Sequence, residues 1–345
     1  MKKPKMHMPL IAAVMACLAL PAAALEPDAQ TTAIVAAADV FLATLTDTQK
    51  DAALYDFTDA AKRTNWSNLP IDMVARDGVP WGEMNDAQHA ALMKLLGAVL
   101  SSDGVLMVQN QMAADDVLRL DQENGGGGPD LTFGSAYYYV AFLGTPSSTT
   151  PWMLQFGGHH LAINATVVGP NVTLSPSLTG GQPLRFTTDG VEVKIVEREV
   201  LAAQTLLTAL TPDQQTKAVL GTDRIDLVLG PGNDGMVLEA EGLMALDMTT
   251  DQKALLRALI VVRLGILNAD DLAAKMVSVD ATLDQTAFAW FGPTNDPTLS
   301  YWRVTGPALL LEYSPQDMGG DLSQHTHAMY RDPTNEYGAA WAALD

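Results

Sequence analysis

Leu92, Leu95, Leu96 and Val99 recur at the three- and four-residue spacing of one buried helix face. The segment opens with Asn85-Asp86-Ala87-Gln88, in which Asn85 caps the helix and Gln88, three residues on, reaches back to it. Thr46 with Gln49 makes the same opening 39 residues earlier, and Thr211 with Gln214 and Thr249 with Gln252 repeat the pair 38 residues apart. The pattern predicts four helices begun by capping boxes. Ala254 to Leu267 is the longest other apolar run, but Arg257 and Arg263 interrupt it, which predicts a buried core helix rather than a membrane span.

The segments downstream of the two pairs of openings are also alike. Phe142-Leu143-Gly144-Thr145-Pro146 precedes Trp152 to Asn164, and Trp290-Phe291-Gly292-Pro293 precedes Tyr301 to Tyr313; setting Trp152 on Tyr301 sets Gly157 on Gly306. Each stretch reads as a turn and then a strand. The expected fold is α+β, two pseudo-symmetric helix-helix-β-hairpin units packed together into one domain. The units run roughly over residues 35–175 and 200–315, with a C-terminal segment 316–345 and a cleft between the halves. Asn124 to Pro129 holds four consecutive glycines and reads as a flexible surface loop, because no helix start comes after it to make it a phosphate cradle. No dinucleotide-binding fingerprint is present.

The N-terminus carries a different signal. Three early lysines, an apolar run from Leu10 to Leu20 and the small residues of Pro21 to Ala24 predict a secretory signal peptide, cleaved after Ala24. The single cysteine, Cys17, lies inside that run, so the mature chain would form neither a disulfide nor a thiolate site; retaining Cys17 as a lipoprotein anchor is the alternative. Losing three lysines and no acids takes the formal charge from −20 to −23, a field that repels nucleic acid and anionic lipid. The expected setting is periplasmic or secreted, with no transmembrane segment after signal removal.

Of six histidines, four fall in two tight groups, Gly157-Gly158-His159-His160 and His325-Thr326-His327. Imidazole is a good metal ligand where thiolates are absent. His325 and His327 are two apart, and in an extended segment they point to one side, as two ligands of one ion require. His159 and His160 are adjacent, so both reach one ion only if the glycines distort the strand. Glu312 ends the apolar run Leu309 to Leu311, and a carboxylate there needs a cation or a donor. A metal site formed by His159, His160, His325 and His327, with Glu312 as ligand or general base, competes with two other readings. One is a set of structural histidines, with Glu312 paired to Arg331 or Arg63. The other is a metal-free His–Glu acid–base site.

Arg63-Thr64-Asn65-Trp66-Ser67-Asn68-Leu69-Pro70 has no counterpart in the second half, where Arg224 to Asp234 fills the gap. Arg63, Trp66 and Asn68, with Gln155 on the strand leading to the histidines, are candidates to orient a substrate; a loop pinned by a buried Trp is the plainer alternative. Arg331, just after His-x-His, is a candidate to grip a substrate carboxylate, or to form a salt bridge.

These blocks, together with Tyr137-Tyr138, Pro151-Trp152 to His160-Leu161 and Tyr330-Arg331-Asp332, resemble a family described only as a domain of unknown function, DUF3500. The resemblance implies an exported protein in which the blocks act as one site, and it carries no activity. The expectation from the residues is an extracytoplasmic metal-dependent enzyme, most simply a hydrolase with a zinc-like ion acting on a small-molecule substrate. Copper or iron oxidoreductase chemistry uses the same ligand types, and a periplasmic solute- or metal-binding protein is the rival from another class.

Overall fold

The computed structural model describes residues 28–126, 130–188, 190–318 and 320–342, so the expected signal peptide and Gly127, Gly128 and Pro129 of the glycine stretch lie outside the described residues. The helices are α1 (Ala29–Thr44), α2 (Asp47–Ala53), α3 (Ala60–Arg63), α4 (Asp86–Val99), α5 (Ser102–Glu123), α6 (Glu197–Ala209), α7 (Pro212–Ala218), α8 (Thr250–Leu264) and α9 (Ala269–Thr282). All four expected capping boxes are present, at the starts of α2, α4, α7 and α8. In each, the cap side chain and the Gln three residues on satisfy amides that the first helical turn leaves unpaired. α4 buries Leu92, Leu95, Leu96 and Val99, and α8 buries Leu256, Leu259, Ile260 and Leu264. No helix among the described residues is long and apolar enough to cross a membrane.

The strands are β1 (Leu54–Tyr55), β2 (Val79–Pro80), β3 (Tyr139–Leu143), β4 (Trp152–Gly158), β5 (Leu161–Val168), β6 (Asn171–Thr173), β7 (Ser177–Gly181), β8 (Arg185–Thr188), β9 (Val191–Lys194), β10 (Val219–Gly221), β11 (Leu243–Met244), β12 (Ala287–Phe291), β13 (Tyr301–Gly306), β14 (Leu309–Pro315) and β15 (Thr326–Arg331). Among the described residues thirteen of them form one mixed sheet in the order β1-β3-β4-β5-β7-β15-β14-β13-β12-β10, with β2 on β3, β11 on β12 and β6 on β5. The fold is therefore α+β around a single large sheet. β1 on β3 and β10 on β12 are parallel, and the other pairs are antiparallel.

Two expectations change. Trp152 to Asn164 and Tyr301 to Tyr313 are not single strands: the first contains the β4–β5 hairpin and the second the β13–β14 hairpin. The glycines explain the difference. At Gly157 an added Cβ would lie 2.4 Å from the Leu161 carbonyl oxygen, and at Gly158 it would lie 2.8 Å from the Tyr138 ring, so the chain folds back tightly only without side chains there.

Alternation across the sheet sorts two cores. One face of the central strands, with Ile163, Leu311, Ala328 and Tyr330, packs under the helices. The other carries Ala162, Leu178, Leu310 and Met329 and is covered by Trp66 and Leu229 from two long loops. Register puts His327, Met329 and Arg331 on this loop-covered face, because β15 residues two apart point the same way.

Candidate metal centre

Gly158 pairs with Leu161, so His159 and His160 are the two central residues of the β4–β5 turn. His160 takes the left-handed conformation, φ 64°, which is uncommon for a residue with a Cβ and lets adjacent side chains leave a turn on one side. A turn, rather than a distorted strand, brings both rings together. Their centroids lie 3.7 Å apart. The Tyr138 hydroxyl donates to the His159 carbonyl at 2.6 Å, and the His160 amide donates to the Asn68 carbonyl at 3.3 Å, which fixes the turn from both sides.

His325 and His327 arrive from the start of β15, the central strand next to β7. His325 Nδ1 donates to the Met318 carbonyl at 2.7 Å, which leaves Nε2 without a proton. That Nε2 lies 2.8 Å from His160 Nε2. The Asn68 amide nitrogen sits 3.2 Å from both ring nitrogens of His327. His160, His325 and His327 each offer one nitrogen, and the three nitrogens lie within 4.8 Å of one another.

The fourth ring stands beside this triad. His159 Nδ1 lies 2.7 Å from Asp115 Oδ1, and the other Asp115 oxygen accepts from the Gly134 amide at 2.8 Å. Asp115, His159 and His160 form a second group within the same 4.8 Å limit. All four histidines are at least nine-tenths buried. Burial first, and then the neighbouring imidazoles, hold His160 and His327 well below the ordinary histidine pKa, and burial brings His325 down to about 4. The triad is neutral at physiological pH, as ligands must be. Its donor set fits an ion: three neutral nitrogens converge, and the Met318 carbonyl orients His325 from behind, the pattern that holds metal-binding imidazoles in place.

The other candidates go elsewhere. The Glu312 carboxylate, on β14, accepts from the Tyr301 hydroxyl at 2.6 Å and from the Val228 and Leu229 amides at 2.9 and 2.6 Å. It is satisfied by donors in the 224–234 loop and belongs to neither histidine group. Arg331 spends its nitrogens on the Leu229 and Gly230 carbonyls at 2.8 and 2.9 Å, on Asp234 at 3.1 Å and on Glu336. It clamps the same loop, has no free fork for a substrate, and pairs with neither Glu312 nor Asp332. Trp66 donates to the Tyr337 hydroxyl at 2.8 Å, and Arg63 bonds the Phe57 carbonyl at 3.2 Å with its guanidinium over the Tyr337 ring. Gln155 donates to the Arg63 carbonyl and to Asn164, each at 3.0 Å. Trp66 and Gln155 share the wall of a cavity of about 20 Å³, room for about one water, with Gly157 and Ala162, next to the histidine turn; Arg63 and Asn68 do not line it.

Asp115 was not anticipated. It lies beyond Val108, Gln111 and Met112 on the buried face of α5, and an acid at a core-facing position of a helix pattern is the signal that marks it.

No curated protein and no solved structure matches the chain. The family described as "Protein of unknown function (DUF3500)" matches residues 27–339, which include every residue of the histidine cluster, and the protein belongs to that family.

Proposed function

We propose that the protein is an exported metal-dependent enzyme, most simply a hydrolase, whose ion is held by His160, His325 and His327. The observation that carries this reading is the convergence of three neutral ring nitrogens within 4.8 Å in a buried site. A zinc-like ion supplies Lewis acidity there. The chain supplies the rest. The Met318 carbonyl orients His325, and His159, backed by the Asp115 carboxylate, takes a proton from the reacting group and returns it.

An all-nitrogen triad also suits copper, and this observation favours an oxidoreductase as the second reading. Export is supported by the basic and apolar N-terminus. The two halves are read as a diverged duplication. The capping-box glutamines support this, since Gln88 donates to Gln49 at 2.8 Å in the first half and Gln252 donates to Gln214 at 2.8 Å in the second.

The test is metal content. Protein purified without a histidine tag is expected to carry close to one equivalent of zinc or copper by mass spectrometry, lost in His325→Ala and His327→Ala. Wild-type protein that stays metal-free after reconstitution with zinc, copper and iron removes the reading and leaves a binding protein.

A further inference from the structure

On α9, Asp271, Lys275 and Ser278 succeed one another at spacings of four and three, so they lie on one helix face. That face forms a wall of a pocket of about 200 Å³, closed by β6, by Tyr330 and Asp332 at the end of β15, and by Trp341 at the rim. It lies on the helix-covered side of the sheet, since Tyr330 points away from the side that carries His327.

The pocket is built around one amine. Lys275 Nζ lies 2.5 Å from Asp332 Oδ2, and the side chains are 12% and 6% exposed, so the pair stands in the wall and not in bulk water. The other Asp332 oxygen is taken by the Thr334 amide and hydroxyl at 3.0 and 2.7 Å, which fixes the carboxylate. One turn earlier Asp271 is held by Gln30 at 2.7 Å and Asn268 at 2.5 Å. Burial lowers the Lys275 amine below its ordinary range despite Asp332, and burial pushes the Asp271 carboxyl up to about 7. An amine that readily gives up its proton, next to an acid that retains one near neutrality, is the pairing that addition to a carbonyl group needs.

We infer that Lys275 is the nucleophile of a second site, which forms an imine with a small hydroxylated or carboxylated aldehyde or ketone. Asp332 accepts the ammonium proton, and the freed lone pair forms the C–N bond. The carbonyl oxygen takes a proton from Asp271, whose carboxylate then takes one from the nitrogen; Asp332 returns its proton to the hydroxyl, which leaves as water while the freed nitrogen lone pair closes the C=N bond of a protonated imine. The balance is amine plus carbonyl to imine plus water, with no oxidant or metal. Ser278 and Trp341 meet the rest of the ligand.

The test traps the imine by reduction. The purified protein is incubated with glycolaldehyde, and separately with pyruvate, in borohydride and a metal chelator, and the adduct on each lysine is read by peptide mass spectrometry. The expected result with at least one probe is labelling of Lys275 at ten or more times the level on exposed Lys94 and Lys217, falling at least tenfold in Asp271→Asn and lost in protein unfolded by urea. Labelling at Lys275 no higher than on those surface lysines with both probes overturns the inference. The chelator keeps this outcome independent of the histidine site.

Discussion

Asn68 touches the histidine cluster twice, by two different groups, and a substitution separates them. Its backbone carbonyl accepts from the His160 amide, and any residue there preserves that bond. Its side-chain amide lies 3.2 Å from both nitrogens of His327, and Asn68→Ala deletes only this contact. An amide N–H can only donate, so it holds the single lone pair of the neutral His327 ring that an ion would take, a contact worth about 1 kcal/mol or roughly fivefold in affinity. The expected result is zinc binding tightened by about that factor with a near-normal fold, because the metal-free protein loses the hydrogen bond and about 1 kcal/mol of stability. Competition against a chromophoric chelator measures the affinity ratio, and urea unfolding of the metal-free forms measures the stability cost. A folded variant that binds zinc ten times more weakly than wild type would falsify this competition and make Asn68 a support of the site instead.

Arg331→Met strips a buried clamp from two carbonyls and two carboxylates, a loss of about 3–5 kcal/mol; at roughly 2 cal/mol/K per residue, or about 0.7 kcal/mol/K for the chain, calorimetry is expected to show a fall of about 4–7 °C in Tm. Metal content is expected to be unchanged, and a Tm shift under 1 °C sinks the clamp. Asp115→Asn keeps the volume but removes the charge behind His159; once a substrate is known, its kcat is expected to fall tenfold or more with zinc still bound, and unchanged kcat refutes the proton-transfer role. Asp271 binds its proton more tightly folded, at about 7, than unfolded, at 3.8, so its ionisation costs stability as pH rises between those values. Wild type is therefore expected to lose ground against Asp271→Asn from pH 5 to pH 8 in urea unfolding, and a pH-independent difference counts against the buried acid.

The helices were legible because their information is local. Capping boxes and the spacing of Leu92, Leu95, Leu96 and Val99 are written in consecutive residues, and α2, α4, α7 and α8 begin where those residues say. The histidines were legible as types and spacings, but not their route to one another: a tight turn at His159–His160 and the pairing of β7 with β15 bring together residues 165 apart, and no local pattern encodes that pairing. Glu312 and Arg331 looked chemical because they are charged among apolar neighbours. Both are consumed by the 224–234 loop, which the sequence offered only as filler. Asp115 was hidden for the opposite reason, being one acid among several on a long helix whose register alone turns it inward.

The width of the sheet has a consequence for how the molecule behaves among its own copies. An open sheet ends in two rows of unpaired backbone groups, which in long flat strands act as templates for further chains. Here both borders are cut short. One ends in β1, of two residues, beside β2, where Pro80 has no amide to offer; the other ends in β10, of three residues, beside the two-residue β11. Each border strand is also the immediate continuation of a helix, β1 of α2 and β10 of α7, so neither can lengthen without unwinding a capped turn. A thirteen-stranded sheet is thereby closed to strand-by-strand polymerisation, without forming a barrel.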